Sequence, residues 1–400
     1  MAVGFDAKRL ERIGQHADRY VASGRFPGYA VLVSRGGEEA YFRSDGLMDV
    51  ERNRAVARDT VFRIYSMTKP ITSVALMMLY ERGYFQLDDP VARYIPQWSD
   101  LAVFDEGDAK RFTVREPTRP MTIKDLFTHT SGLTYAFHNA HPVDALYRSR
   151  QLGELEASGL SLADLVDRLA DIPLQFSPGS RWNYGVSTDV LGYLVQVFSG
   201  QDLDTFISDE ITRPLGMTDT GFVVRDGAQD RFAACYRRTE DDRFQAQDDP
   251  LTSRYLNRPT FLSGGGGMVA SIDDYHRFAR MMLGGGILDG QRILGRKTVE
   301  YMTTNHMPGN GDLAGMGQPV FSETSYEGIG FGLGYSVVLD PAAANVLDSV
   351  GEFAWGGAAS TYHWVDPLEE VIVVFMTQLL PSSSYPIRRQ LKTLVYQALT

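Results

Sequence analysis

Strand-like runs stand at both ends of this chain and helical patterns fill its middle, an order that constrains the fold of the 400 residues more than any other feature. Near the start, Tyr29 to Ser34 (YAVLVS) and Glu39 to Arg43 (EAYFR) are rich in β-branched and aromatic residues, and the Arg35-Gly36-Gly37 between them is a hairpin signal. Strand character returns at Gly334 to Leu339, Ala359 to Val365 and Val371 to Thr377. Helical spacing runs through residues 5–23, with Phe5, Leu10, Ile13 and Tyr20 on one side. It recurs from Ser66 to about Arg82, closed by Gly83, and again at Leu162 to Ala170, Val190 to Phe198, Asp273 to Leu283 and residues 386–399. Segregated strands and helices favour an α+β fold over a βαβ alternation. The expected architecture is an antiparallel β-sheet built from both ends of the chain, flanked by helices, with a mostly helical domain inserted. Cores split beyond roughly 250–300 residues. The expected division is therefore 1–84 with 285–400 as the sheet domain and 85–284 as the insert, with the active site between them.

Composition narrows the class. The 39 Lys and Arg against 50 Asp and Glu leave a net charge of −11, the wrong sign for a phosphate backbone, so no nucleic-acid partner is expected. The single cysteine, Cys235, excludes an internal disulfide framework and reads as a buried small hydrophobe. The first 24 residues carry charges from Asp6 through Arg19 rather than the apolar core of a signal peptide. No window approaches 18 uninterrupted apolar residues. A cytoplasmic protein with no membrane partner is the expectation.

The sharpest chemical feature is Ser66-Met67-Thr68-Lys69 at the start of a helix, after the strand-like Val61-Phe62-Arg63-Ile64. Residues three apart on a helix are neighbours, so Ser66 and Lys69 share a face. A serine becomes a nucleophile when a base takes its proton, and a desolvated lysine serves as that base. Alone, the same spacing describes many helices with a capping serine and a surface lysine. Two further elements raise its weight. Tyr184 lies in FSPGSRWNYGVSTDVLGYLV (176–195), a turn-rich stretch leading into a helix, where a tyrosine can act as general acid and base. Trp355-Gly356-Gly357-Ala358 stands at a strand edge, where glycines allow a substrate to approach backbone N–H groups. Packing of Tyr184 on its helix, and a plain turn at 355–358, are the bland alternatives.

Taken together, these elements resemble the serine β-lactamases and penicillin-binding proteins. The segments YSMTKPITSVALMMLYERGYFQLDDPVARYIP (65–96), MTIKDLFTHTSGLTY (121–135), SGGGGMVASIDDYHRFARMML (263–283), GFGLGYSV (330–337) and WGGAASTYHWVDP (355–367) extend the likeness over almost the whole chain. The nearest resemblance is to the carboxylesterases of the class C β-lactamase fold, the family VIII esterases. It implies a β-lactamase/transpeptidase-like fold and hydrolysis of small, short-acyl esters through a Ser66 acyl-enzyme. Lys69 and Tyr184 would share base and acid duties, and the backbone N–H groups of Ser66 and Ala358 would form the oxyanion hole. Trp355, Gly356 and Gly357 would meet the substrate; beside the 121–135 segment, Tyr135 and Phe137 are read as lining the acyl pocket or packing in the core. No cofactor and no metal are implied.

Two departures separate this chain from the lactamases. Their Tyr-x-Asn is Tyr184-Gly185-Val186 here, and their Lys-Thr-Gly is Trp355-Gly356-Gly357. An indole in place of a cation removes the charge partner of a carboxylate and adds an apolar wall, which suits an uncharged ester better than a penicillin. The rivals are an acyltransferase of the same fold, a weak β-lactamase or D-aminopeptidase, and a non-catalytic assembly protein. The last has no need to keep Ser66, Lys69 and Tyr184 together. Gly264 to Gly267 lacks the lysine of a phosphate loop. His129, His138 and His141 fit no zinc spacing. Ser271 is read as a helix cap. No G-x-S-x-G nucleophile elbow is present.

Overall fold

Alternation decides how the central sheet is covered. In the strand Gly28–Arg35, Tyr29, Val31 and Val33 belong to one buried cluster, and Ala30 and Leu32 to another. Its neighbour Val371–Thr377 is buried at every position, as a strand covered on both faces must be. The computed structural model describes residues 3–153, 155, 159–317 and 326–400. Its main sheet has eight strands in the spatial order Ile329–Phe331, Ser336–Val338, Phe353–Gly356, Tyr362–Asp366, Val371–Thr377, Gly28–Arg35, Glu38–Asp49 and Arg54–Ala55. All neighbours are antiparallel, and Val31 lies opposite Phe375 on one side and Arg43 on the other. The N- and C-terminal parts of the chain thus share one sheet, as expected. The hairpin turn is Gly36-Gly37 with φ of 57° and 83°, left-handed at both positions, which glycine adopts without strain.

Helices Ala7–Ala22 and Ile387–Tyr396 cover one face, packing Leu10, Ile13, Leu391 and Val395 against Val31, Val373 and Phe375. Helices Thr68–Glu81 and Ile272–Leu283 lie under the other face, where Val74 and Phe278 join Leu32 and Val374. That second cluster continues without a break into helices Leu162–Leu169 and Ser187–Ser199 through Leu165 and Leu191. Ser271 caps its helix, accepting from the Asp274 N–H at 3.3 Å.

Several element ends differ from the sequence reading. The strand expected from Ala359 starts at Tyr362, because Gly357 to Thr361 form a turn closed by the Gly357 N–H on the Thr361 carbonyl at 2.9 Å, with Ser360 at φ 67°. Gly334 to Leu339 pairs only over Ser336–Val338, since Gly334 sits at φ 101°. The mainly helical middle also carries strands that the pattern did not reveal. Val103–Gly107 pairs with Phe112–Arg115, whose four residues are all exposed and so show no alternation. Cys235–Arg238 lies between Phe244–Asp248 and Leu379–Leu380. Cys235 is buried, as expected. Among the described residues no helix is long and apolar enough to cross a membrane.

Candidate active site

Ser66 is positioned by a short strand, a sharp turn and a buried helix. Val61–Arg63 is pinned antiparallel to Val269–Ser271, and the chain then turns through Tyr65 at φ 42°. A left-handed backbone is costly for a tyrosine, and such conformations persist where the surroundings over-determine them. One 3₁₀ turn, Tyr65–Met67, carries Ser66 into the helix Thr68–Glu81, in which every residue from Thr68 to Leu79 is buried. A helix apolar around its circumference belongs in an interior, and it takes Lys69 there with it. Lys69 is 1% exposed.

Lys69 Nζ lies within hydrogen-bond distance of three neutral oxygens: Ser66 Oγ at 3.3 Å, Tyr135 Oη at 3.0 Å and the Gly265 carbonyl at 2.7 Å. None of the ion pairs among the described residues includes it. The Gly265 contact explains the glycine run that fits no phosphate loop. A Cβ on Gly265 would stand 2.8 Å from Asp189 Oδ2 and 3.1 Å from Tyr135 Oη. The missing side chain lets the backbone reach the lysine.

Tyr184 is buried, with its ring centroid 4.5 Å from Lys69 Nζ and 5.4 Å from the Tyr135 ring. Its backbone is held by the segment around His129. The Asn183 N–H donates to the His129 carbonyl at 2.9 Å, and His138 Nε2 donates to the Tyr184 carbonyl at 2.6 Å. A carbonyl only accepts, so that ring nitrogen carries the proton. Burial pushes His138 below its ordinary range, and the Tyr184 carbonyl only partly offsets this. His129 is pushed further down by complete burial, with the charge of Lys69 adding to the effect. It accepts from the Gly185 N–H and packs edge-on against Trp182 and Phe331. His129 and His138 therefore brace the tyrosine. His138 and His141 border a neighbouring hollow with Asp144 and Arg181.

The opposite wall is the edge of Phe353–Gly356. Trp355 packs against Phe331 and Tyr184, with centroids 5.2 and 5.5 Å away, and its Nε1 lies 3.4 Å from Tyr184 Oη. Ser66, Tyr184, Trp355, Gly356, Gly357 and Ala358 all line one cleft of about 490 Å³, along with Phe137 and Trp182. Neither the Ser66 nor the Ala358 amide meets a backbone carbonyl among the described residues. The space beside the two glycines is already filled. A Cβ on Gly357 would sit 2.4 Å from the Ile64 carbonyl oxygen, and one on Gly356 would sit 2.6 Å from the Arg388 guanidinium carbon. These glycines bring the strand edge against the Ser66 turn and the last helix.

The structure thus gathers Ser66, Lys69, Tyr184 and the 355–358 edge at one cleft. Tyr135, expected at the substrate, turns its hydroxyl to Lys69 while Phe137 lines the cleft. The sequence reading did not anticipate the Gly265 carbonyl, the bracing histidines or Arg388. The HTSGL segment and the glycine run were their only local signals. An alcohol beside a buried amine that is itself held by a phenol can lose its proton to that relay and attack a carbonyl.

Comparison with known proteins agrees with this chemistry. The Beta-lactamase family model matches residues 13–397. Protein Rv1367c of Mycobacterium tuberculosis (strain ATCC 25618 / H37Rv) is 36% identical over 85% of this chain and 82% of its own length. Esterase EstB of Burkholderia gladioli is 31% identical over 99% of this chain and 97% of its own. Among solved structures, EstCE1, a hydrolase with promiscuous acyltransferase activity, superposes with a TM-score of 0.81 at 26% identity, covering 98% of this chain and 99% of that one. The chain belongs to the Beta-lactamase family and is a serine hydrolase with the β-lactamase-like fold.

Proposed function

We propose that this protein is a serine carboxylesterase that hydrolyses small, short-acyl esters through an acyl-enzyme on Ser66. The observation that carries the reading is Lys69 Nζ at 3.3 Å from Ser66 Oγ, beneath a cleft lined by the rings of Phe137, Trp182, Tyr184 and Trp355 together with charged side chains such as Arg388 and Lys392. Ser66 Oγ attacks the ester carbonyl, and its proton passes to Lys69 and Tyr184, which share base and acid work. Tyr135, hydrogen-bonded to Lys69, belongs to the same relay. The oxyanion rests on the N–H groups of Ser66 and Ala358. The alcohol leaves with a proton returned from the relay. Water then takes its place and frees the acid. The indole of Trp355, with Gly356 and Gly357, supplies an apolar wall where the lactamases carry a cation, which supports a neutral ester as substrate.

A second reading, transfer of the acyl group to an alcohol instead of water, is favoured by the likeness to EstCE1, a hydrolase with promiscuous acyltransferase activity. The buried thiol and the absence of any second cysteine fit a cytoplasmic location. The test is a chain-length series of p-nitrophenyl esters beside a chromogenic cephalosporin, with products analysed in the presence of a competing alcohol. Short esters should be turned over fastest, with an acyl adduct on Ser66 in the intact mass. Cephalosporin turnover equal to or above ester turnover, or an adduct on another residue, overturns the reading.

A further inference from the structure

The C-terminal helix lines the active-site cleft with Arg388, Arg389 and Lys392, and Arg388 bonds to its edge. Arg388, in the first turn of Ile387–Tyr396, donates from Nη2 to the Gly357 carbonyl at 2.8 Å and to the Thr361 carbonyl at 3.0 Å. The Gly357 carbonyl and the Ala358 N–H are the two ends of a single peptide group. A cation bonded to the oxygen withdraws electron density from that amide and makes its N–H a stronger donor, since hydrogen bonds in a chain polarise one another. From this geometry we infer that Arg388 is a positioning residue for the oxyanion hole. It fixes the 357–361 turn and polarises the peptide whose N–H faces the developing oxyanion. The inference rests on the esterase reading above.

Four further observations bear on it. Gly356 has no side chain where a Cβ would stand 2.6 Å from the Arg388 guanidinium carbon, so strand and guanidinium are fitted to each other. The guanidinium carbon is 5.3 Å from the Tyr362 ring centroid, a cation–π contact that holds it from the side. A helix N-terminus disfavours cations, yet Arg388 and Arg389 stand in this helix's first turn. Their carbonyl partners, Gly357 and Thr361 for Arg388 and Asn345 for Arg389, compensate for that position. The Gly357 carbonyl also accepts the Ser360 N–H at 3.2 Å, so both of its lone pairs are engaged and its plane is set.

The test compares Arg388→Ala and Arg388→Lys with the unmodified protein on a p-nitrophenyl ester. Removing a donor from an oxyanion hole typically costs about 10²–10³ in rate, and weakening one should cost about 10 to 100. The expected result for Arg388→Ala is a loss of that size in kcat with KM within threefold. Binding of a phosphonate transition-state analogue should weaken by the same factor, with partial recovery in Arg388→Lys or on adding millimolar guanidinium. A KM rise at constant kcat would make Arg388 a substrate contact, and a loss that follows the melting temperature, with no rescue, would make it structural. Either overturns the inference and leaves the esterase reading standing. Failure of the unmodified protein to turn over esters or to take a fluorophosphonate label overturns both.

Discussion

Two buried lysines, on helices that cover opposite faces of the sheet, are held in opposite ways. Lys69 bonds to a serine, a tyrosine and a peptide carbonyl and lies over the Tyr184 ring. Lys392, on the last helix, lies between the carboxylates of Asp348 and Glu352, and Tyr396 links Glu352 to Asp366 with bonds of 2.9 and 2.8 Å. Burial pulls the Lys392 ammonium towards its neutral form, but the charges of Glu352 and Asp348 outweigh it and raise its hold on the proton. Burial pushes Glu352 up as well, because two acids share one cation there. The carboxylates lock a charge in place beneath the sheet. At Lys69 neutral oxygens orient the side chain with no carboxylate paired to it. Burial is common to both lysines; their partners differ.

The comparison is broken most directly at Lys69. Ser66→Ala and Lys69→Met should each lower kcat/KM by about 10³ or more, while the melting temperature moves by only a few degrees. Steady-state kinetics beside a thermal melt checks this, and a collapse of both would make Lys69 a structural ion. Lys392→Met should do the reverse. Removing one partner from a buried charged cluster destabilises by about 3–5 kcal/mol, read as a lower urea midpoint, with a much smaller effect on kcat/KM per folded molecule. Adding Asp348→Asn and Glu352→Gln should restore most of that stability, because no unpaired carboxylate then remains.

His276 sharpens the point about neutral partners. It is buried, bonded to Ser34 Oγ at 2.7 Å, and burial lowers it to about 4 from an ordinary 6.5. Between those values the unfolded chain binds a proton that the folded chain does not, so the contribution of His276 is full above pH 6.5 and lost as pH falls to about 4. The loss is about 3 kcal/mol. Asp274, which burial raises to about 6, has the opposite sign: its folded form binds the extra proton, so it favours the fold at low pH and offsets part of the loss. Denaturant melts at pH 7 and 5 should show a shallower decline for His276→Gln than for the unmodified protein. Equal slopes would mean that a hydroxyl partner holds the imidazolium after all.

The smallest effect is expected at the cleft wall. Trp355→Lys places a cation beside Tyr184 in place of apolar surface worth roughly 1–2 kcal/mol to a neutral ester. A charge-assisted bond of roughly 1.5–3 kcal/mol becomes available to a carboxylate. Ester kcat/KM should fall and that for an anionic cephalosporin should rise, the rise shrinking with added salt. Parallel losses, together with a lower melting temperature, would make the indole a packing residue.

What the sequence determined by itself is what lies within one helical turn or one strand. Ser66 and Lys69 are one turn apart, so helix geometry alone sets them side by side. The hairpin at Gly36-Gly37, the cap at Ser271 and the strand Val371–Thr377 are likewise written in local pattern, because turn chemistry, caps and continuous apolar runs act between near neighbours. Tertiary structure decided the rest. Tyr135 reaches Lys69 across 66 residues and Gly265 across 196, and Arg388 finds the Gly357 carbonyl from a helix on the other side of the sheet. It also decided that Ala359 to Thr361 turn instead of extending, since the approach of Gly357 to the Ile64 carbonyl bends the chain there. No spacing rule encodes which distant oxygen a buried cation will meet. Packing against the rest of the fold selects it, and here that selection gives one lysine neutral oxygens and the other two carboxylates.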